Sequence, residues 1–454
     1  MKLSKRQEKL TDKSQQTIDA LKAFINSDQK LCVIKAPPGS GKTFTLLTAL
    51  QAAPDNLHIA VAAQTNAQCD DICDRFVEMY PKKRVVRFTR SGVDRPETLD
   101  HRIDWISSAN DLSEDHRVVV GTTSKWSLIN ESPEFDLLIV DEAWQMSWAE
   151  FMLLGRVSAR FILIGDPGQI PPVVTIDTRR WETSPRAPHR AAPEVILGDS
   201  SIDFTLLELT SCRRLPAASV DLVRPFYDFT FDAFADDGVR GVAVHGNAST
   251  HFDEILATLH EQTEVLVTIP TPEYGPPVDC DLDIARLAAR LAVEFLNAEC
   301  HAISDDGPKS AKKEITADDI GIVATHRVMN AAINGFLPAH LRFDGASKGI
   351  RVDTPERWQG LERVIMIAVH PLSGVVNPSE FDLETGRLCV MASRHRSALV
   401  VISRDHVATT LDSHIPSAEQ AIGRPDVVGR GHQQHSTFWA ALADKEIRLE
   451  VVPS

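Results

Sequence analysis

The chain has 454 residues, 43% of them hydrophobic, enough to bury two ordinary cores. Its formal net charge of −15 excludes wholesale electrostatic binding of nucleic acid, because phosphate contacts draw on Lys and Arg, so any such track must lie in a local groove. No run approaches the roughly 18 apolar residues that span a bilayer, the opening MKLSKRQEKL lacks a signal-peptide core, and the seven cysteines form no CxxC pair; a soluble, cytoplasmic protein with reduced thiols, no membrane contact and no zinc is expected.

Taken in order, short apolar runs alternate with helical stretches. LCVIKA (31–36) precedes TFTLLTAL (43–50), LHIAVAAQ (57–64) precedes CDDICDRFVEM (69–79), DLLIV (136–140) precedes a polar helix, and FILIGD (161–166) follows. That alternation predicts a parallel sheet in an α/β domain. The pattern fades over 175–200, where TIDTRRWETSPRAPHRAAPE reads as an exposed connection. TEVLVTIP (263–270), IGIVATHR (320–327), RVIMIAVH (363–370) and ALVVISR (398–404), with the helical run DIARLAARLAVEFLNAE (283–299), predict a second α/β domain. SDDGPKSAKKE (304–314) reads as a surface loop within it. Two basic clusters, Lys82, Lys83, Arg84, Arg87 and Arg90, and Lys309, Lys312 and Lys313, fit a local groove or ordinary solvated charge equally well.

The sharpest motif is Ala-Pro-Pro-Gly-Ser-Gly-Lys-Thr, 36–43, placed after a strand and opening a helix as a phosphate-binding loop requires. In such a loop, whose cofactor-binding residues begin with Pro38, Gly39, Ser40 and Gly41, the two glycines let backbone N–H groups face the phosphates, Lys42 reaches the β- and γ-phosphates of ATP, and Thr43 ligates magnesium. The strand Leu137–Val140 ends in Asp141 and Glu142, where α/β sheets place their ligands. Asp141 suits the magnesium and Glu142 a general base that activates the attacking water. A third strand ends in Gly-Asp-Pro-Gly-Gln-Ile-Pro-Pro, 165–172, in which Gln169 is a candidate to sense the γ-phosphate or that water. Trp144 and Trp358 read as core or interface residues rather than base-stacking ones. His432 and His435 lack acidic or Cys companions at ligand spacing and read as ordinary tail histidines.

Together with motifs further along, this set resembles the superfamily 1 helicases, and within them the 5′-to-3′ group that contains the nonsense-mediated-decay RNA helicase. Residues 36–43 resemble motif I, Asp-Glu-Ala-Trp-Gln (141–145) motif II and residues 165–172 motif III. Cys212-Arg213-Arg214-Leu215-Pro216 resembles the motif IV arginine segment, residues 354–362 motif V, and Val390-Met391-Ala392-Ser393-Arg394-His395-Arg396 motif VI. The matches run in family order over about residues 30–400.

The resemblance implies an α/β fold of two tandem RecA-like P-loop domains with parallel sheets, divided as 1–204 and 205–454, with ATP and magnesium in the cleft between them. It further implies that Arg213 and Arg394 reach across to the γ-phosphate, where such arginines stabilise the charge of phosphoryl transfer, and that Glu362 lies near the nucleotide sugar. The glutamine that reads adenine in the family corresponds to Gln15 or Gln16. Thr65, Asn66 and Asp70 match motif Ia, Thr122 and Thr123 resemble the next backbone-gripping loop, and Thr354 and residues 324–327 are their counterparts in the second domain; helix capping suits the same side chains as well as phosphate contact does. The expected track is single-stranded DNA or RNA, DNA somewhat favoured, with 5′-to-3′ travel implied by the resemblance and a protein partner in a larger assembly. With no room before motif I for an accessory β-barrel, a reduced motor is expected. The rival reading is a nucleotide-dependent switch or clamp regulated by a protein partner.

Overall fold

The computed structural model describes all residues except 1–2, 52, 55, 114, 130–134, 182, 247–251, 305–310, 346–347, 417–426 and 451–454. The first set of apolar runs enters one eight-stranded parallel sheet, in spatial order Ile103–Ile106, Val85–Phe88, Val118–Thr122, Ile59–Ala63, Leu137–Val140, Phe161–Gly165, Leu31–Lys35 and Thr205–Glu208. Leu31–Lys35, Ile59–Ala63 and Leu137–Val140 are buried throughout, as a parallel sheet covered on both faces requires. Successive side chains serve opposite faces. Cys32, Ile34, Val61 and Ile139 pack under the helices Lys5–Ile25, Lys42–Leu50 and Asn66–Met79, while Val33, Ala60, Ala62 and Val140 build the core on the other side.

The second set forms a six-stranded parallel sheet ordered Arg351–Asp353, Ile320–Val323, Arg363–Val369, His395–Arg404, Glu264–Ile269 and Glu446–Arg448. The helix Leu282–Asn297 buries Ile284, Leu287, Leu291 and Phe295 against it, at the three- and four-residue spacing of one helix face. Among the described residues no helix is long and apolar enough to cross a membrane.

The strand Thr205–Glu208 pairs in parallel with Leu31–Lys35, so the first sheet takes in four residues beyond the expected division at 204/205. The expected exposed connection over 175–200 holds for Ile176, Asp177 and Arg179, but residues 192–198 form a helix whose Ala192 and Ile196 are buried on the first domain. The expected loop 304–314 is flanked by paired strands: His301–Ser304 and Ala311–Glu314 join Gly241–Ala243 in a three-stranded antiparallel sheet. Lys309 and the side chain of Lys312 lie outside the described residues, and Lys313 pairs with Asp319 at 2.9 Å. The first basic cluster is not one surface. Arg87 is fully buried, its Nε donating to Asp70 at 2.6 Å and its Nη2 to Asn66 at 2.8 Å, and Arg84 is paired with Asp104.

Candidate functional site

The strand Leu31–Lys35 runs into a loop whose Gly39 and Gly41 have φ of 65° and 81°, a left-handed conformation that glycine adopts without a steric penalty. At Gly39 a methyl group would also lie 2.2 Å from the Arg214 Cβ, so a segment of the second domain seals the loop from outside. The helix Lys42–Leu50 starts with no side-chain cap. Its first N–H groups are left for an anion, the arrangement that binds phosphate at helix N-termini.

Leu137–Val140 delivers the two carboxylates into the same cleft, and both are buried. The Lys42 Nζ lies 2.7 Å from Glu142 Oε1. Glu142 itself has φ of 53°, a strained backbone for a non-glycine residue and one that turns its side chain away from the strand. Burial, with the adjacent Glu142 adding to it, pushes the Asp141 carboxyl up to about 6. Burial pulls the Lys42 ammonium down, but the carboxylates of Glu142, Asp166 and Asp141 outweigh it, so its proton is held more tightly than usual.

Asp166 drew no assignment from sequence, yet it organises the motif III loop. It is fully buried and accepts from Gly168 N at 3.0 Å and from Gln169 Nε2 at 3.0 Å. That second bond leaves Gln169 Oε1 as a buried acceptor without a partner, oriented as a group that receives a hydrogen from water would be. Arg394 comes from the end of the helix Thr385–Ala392 in the second domain. It is 1% exposed, and its Nε and Nη2 have no partner. Burial and then Arg214 lower its pKa, while Asp166 and Glu142 pull the other way, which sets its charge among the cleft carboxylates.

The donor set fits a triphosphate. Beside the phosphate loop the described residues leave Ser40 Oγ, Ser393 Oγ and two Arg394 nitrogens buried and unpartnered, although buried polar groups in folded proteins are nearly always hydrogen-bonded. Thr43 is partly exposed at the start of the helix, and Asp141, the carboxylate that burial and Glu142 destabilise, is the one a magnesium ion would relieve.

Other expected residues sit differently. The Arg213 guanidinium stacks on the Phe234 ring at 4.1 Å, with only its backbone N–H reaching the loop, at Gly39 O. Its neighbour Arg214 ion-pairs with Glu362 at 2.5 Å, and Arg396 holds the other oxygen of that carboxylate. Glu362 is therefore pulled below the usual carboxylate range: burial opposes this, but Arg214 and Arg396 outweigh it. These groups line a cavity of about 620 Å³ with Arg240 and Arg363. Gln15 and Gln16 are both exposed, and Gln15 is bonded to Asp19, so neither is placed to read a base.

The strand candidates lie at the C-terminal ends of sheet strands, and two of them already cap helices. Thr65 makes a reciprocal capping box with Gln68, and Thr122 accepts from Lys125 N at 3.1 Å. Asn66 is held by Arg87, and Thr354 precedes the short helix Pro355–Trp358. Trp144 and Trp358 are buried, the latter donating to Ile322 O. His435 is not a tail residue: it is fully buried on the helix Val427–Ala443, and His432 bonds Leu411 O.

Two parallel sheets, with a phosphate loop and two carboxylates on one and an arginine arriving from the other, form an α/β fold of two RecA-like domains. The family model described as "AAA domain" matches residues 12–178. The chain is similar to human "RNA helicase Mov10l1", 28% identical over 179 residues, which covers 34% of this chain and 14% of that one. It is similar to "DNA polymerase alpha-associated DNA helicase A" of Saccharomyces cerevisiae, 20% identical over 475 residues, covering 86% of this chain and 64% of that one. The solved "Arterivirus nonstructural protein 10 (helicase)" shares 16% identity at a TM-score of 0.42, over 88% of this chain and 64% of that one. The chain thus spans less than two thirds of the length of these relatives. With its motifs in family order, the chain is similar to the superfamily 1 helicases.

Proposed function

We propose that the protein is an ATP-hydrolysing helicase or translocase that moves along single-stranded nucleic acid, 5′ to 3′, with DNA favoured over RNA. The observation that carries this is the set of buried, unpartnered donors from both domains facing one phosphate loop, with Lys42 and Glu142 neutralising each other in their midst. Gly39, Gly41 and Lys42 bind the phosphates, Gln169 and Glu142 orient and deprotonate the attacking water, and Arg394 stabilises the developing charge from the second domain. Magnesium, held by Thr43 and Asp141, neutralises charge on the phosphates when bound. Arg213 reaches the same phosphates once it leaves the Phe234 ring, and Glu362 holds the sugar. Thr65, Asn66, Thr122 and Thr354 contact the strand's phosphates through sequence-indifferent hydrogen bonds, which suits a motor that ignores base sequence.

Because Arg394 belongs to the second domain and Lys42 to the first, turnover is linked to domain closure, and a strand held by both is advanced as they open and close. A cytoplasmic assembly with a protein partner is the expected setting. The test is steady-state ATP turnover of the protein alone, with single-stranded DNA, and with single-stranded RNA of matched length, each beside Glu142→Gln. Stimulation by one polymer, lost in the variant, supports the motor and identifies its track. Turnover indifferent to both polymers would move the function to a switch governed by a protein partner.

A further inference from the structure

Motif III belongs to the first domain, yet the side chain that encloses it comes from the second. The segment Arg224–Phe226 turns the chain so that Tyr227 inserts against Gly168, where an added methyl group would stand 2.5 Å from the ring Cζ and 2.7 Å from the hydroxyl oxygen. The Tyr227 hydroxyl, whose pKa burial and then the nearby Asp166 carboxylate push up, lies 3.4 Å from Cys389 Sγ on the helix that leads into Arg394. Its ring is fixed by edge-on packing with Phe229 and Phe231, at 5.6 and 5.0 Å. One residue on, Asp228 pairs with Lys35 at 2.7 Å, at the end of the strand that feeds the phosphate loop. A single short segment of the second domain therefore touches both the strand before motif I and the loop of motif III.

We propose that Tyr227 is a positioning residue that couples the two domains to hydrolysis: its hydroxyl fixes Asp166, Asp166 fixes the Gln169 amide, and the same hydroxyl bridges to the motif VI helix through Cys389. The inference rests on the ATPase reading above. Because Tyr227 meets the motif III loop at Gly168, it acts on the orientation of Gln169 rather than on ground-state binding of the nucleotide. Docking of the second domain completes the motif III loop, and an opened protein leaves Asp166 with only the Gly168 and Gln169 donors of its own loop.

The experiment compares wild type, Tyr227→Phe, Gly168→Ala and the double variant in single-turnover and steady-state ATP hydrolysis with single-stranded DNA present, alongside thermal unfolding. Wild-type turnover that is absent in Glu142→Gln establishes the ATPase first, so a failure there is a failure of that reading and not of this one. Tyr227→Phe keeps the ring packing and removes only the hydroxyl. Loss of one hydrogen bond to a carboxylate predicts a kcat lowered about ten-fold or more, with KM for ATP within about two-fold and an unfolding temperature lowered by only a few degrees. Gly168→Ala displaces the ring from the same place, so the two changes together should cost no more than the larger alone. The proposal is overturned if Tyr227→Phe turns over like wild type, if its loss falls on KM, or if the two substitutions multiply as independent sites would.

Discussion

Arg394 offers the clearest separation of function from stability. It is 1% exposed with two guanidinium nitrogens unpartnered, an arrangement that is costly before nucleotide arrives. Leaving a buried donor unsatisfied costs about 1–3 kcal/mol, and domains of this size shift by about 2–4 °C per kcal/mol. Arg394→Met keeps much of the packing and removes those donors, so the nucleotide-free variant should unfold at least about 2 °C higher than wild type; the lost attraction of Asp166 and Glu142 keeps the gain near the lower end. Hydrolysis should move the other way, falling by about a thousand-fold or more as for a lost arginine finger, with ATP affinity little changed. Thermal unfolding without nucleotide, equilibrium binding of a slowly hydrolysed ATP analogue and single-turnover hydrolysis together decide it. A variant that unfolds well below wild type would make Arg394 a structural keystone, and a loss of affinity as large as the loss of rate would make it a ground-state anchor.

Lys42→Ala removes the cation shared by Glu142, Asp166 and Asp141; it should abolish turnover and also lower nucleotide-free stability by about 3–5 kcal/mol, the cost of breaking a buried pair. Glu142→Gln should abolish turnover while retaining nucleotide binding, and urea titrations beside a binding assay tell the two apart. Acid should destabilise the second domain through His370, His395 and His435, buried imidazoles whose pKa burial lowers, to about 4 for His395, about 3 for His435 and well below the ordinary value for His370. The unfolded chain takes up protons near pH 6.5 and the folded one does not, so stability is full above about 6.5 and is lost as pH falls toward 4. Asp141, raised to about 6, works in the opposite sense between about 4 and 6 and offsets one of the three. Urea midpoints at pH 8, 6 and 5 measure the slope, and His435→Phe should flatten it; a midpoint that does not move would refute the assignment of neutral buried histidines.

What the amino-acid order made legible is what neighbours in the chain decide. The phosphate loop, the Asp141-Glu142 pair and the alternating strands were readable because each needs particular residue types at fixed spacing along one strand, turn or helix. Residues whose positions depend on docking were not. Asp166 sat in plain view within motif III, but the Tyr227 that packs against that loop at Gly168 comes from some sixty positions away. Arg213 and Arg214 are adjacent and chemically identical, and only the tertiary folding of the second domain decides that one stacks on Phe234 while the other pairs with Glu362. The same holds for Arg87, which reads as one more surface cation in a basic run and is instead the buried partner of Asn66 and Asp70.

That division has a physical consequence for the site itself. Groups placed by local rules are mostly satisfied in the nucleotide-free state: Lys42 has Glu142, Asp141 has the Glu142 N–H, and Gln169 has Asp166. Around the cleft the unpartnered atoms lie on both sides, at Ser40 and Gln169 in the first domain and at Ser393 and Arg394 in the second. A protein selected only for stability would bury none of them. The deficit therefore lies at the interface between domains, so a ligand that fills it rewards the closed arrangement over the open one, and its loss removes that reward. A differential of this kind is what a nucleotide needs in order to drive a change of conformation rather than merely to bind.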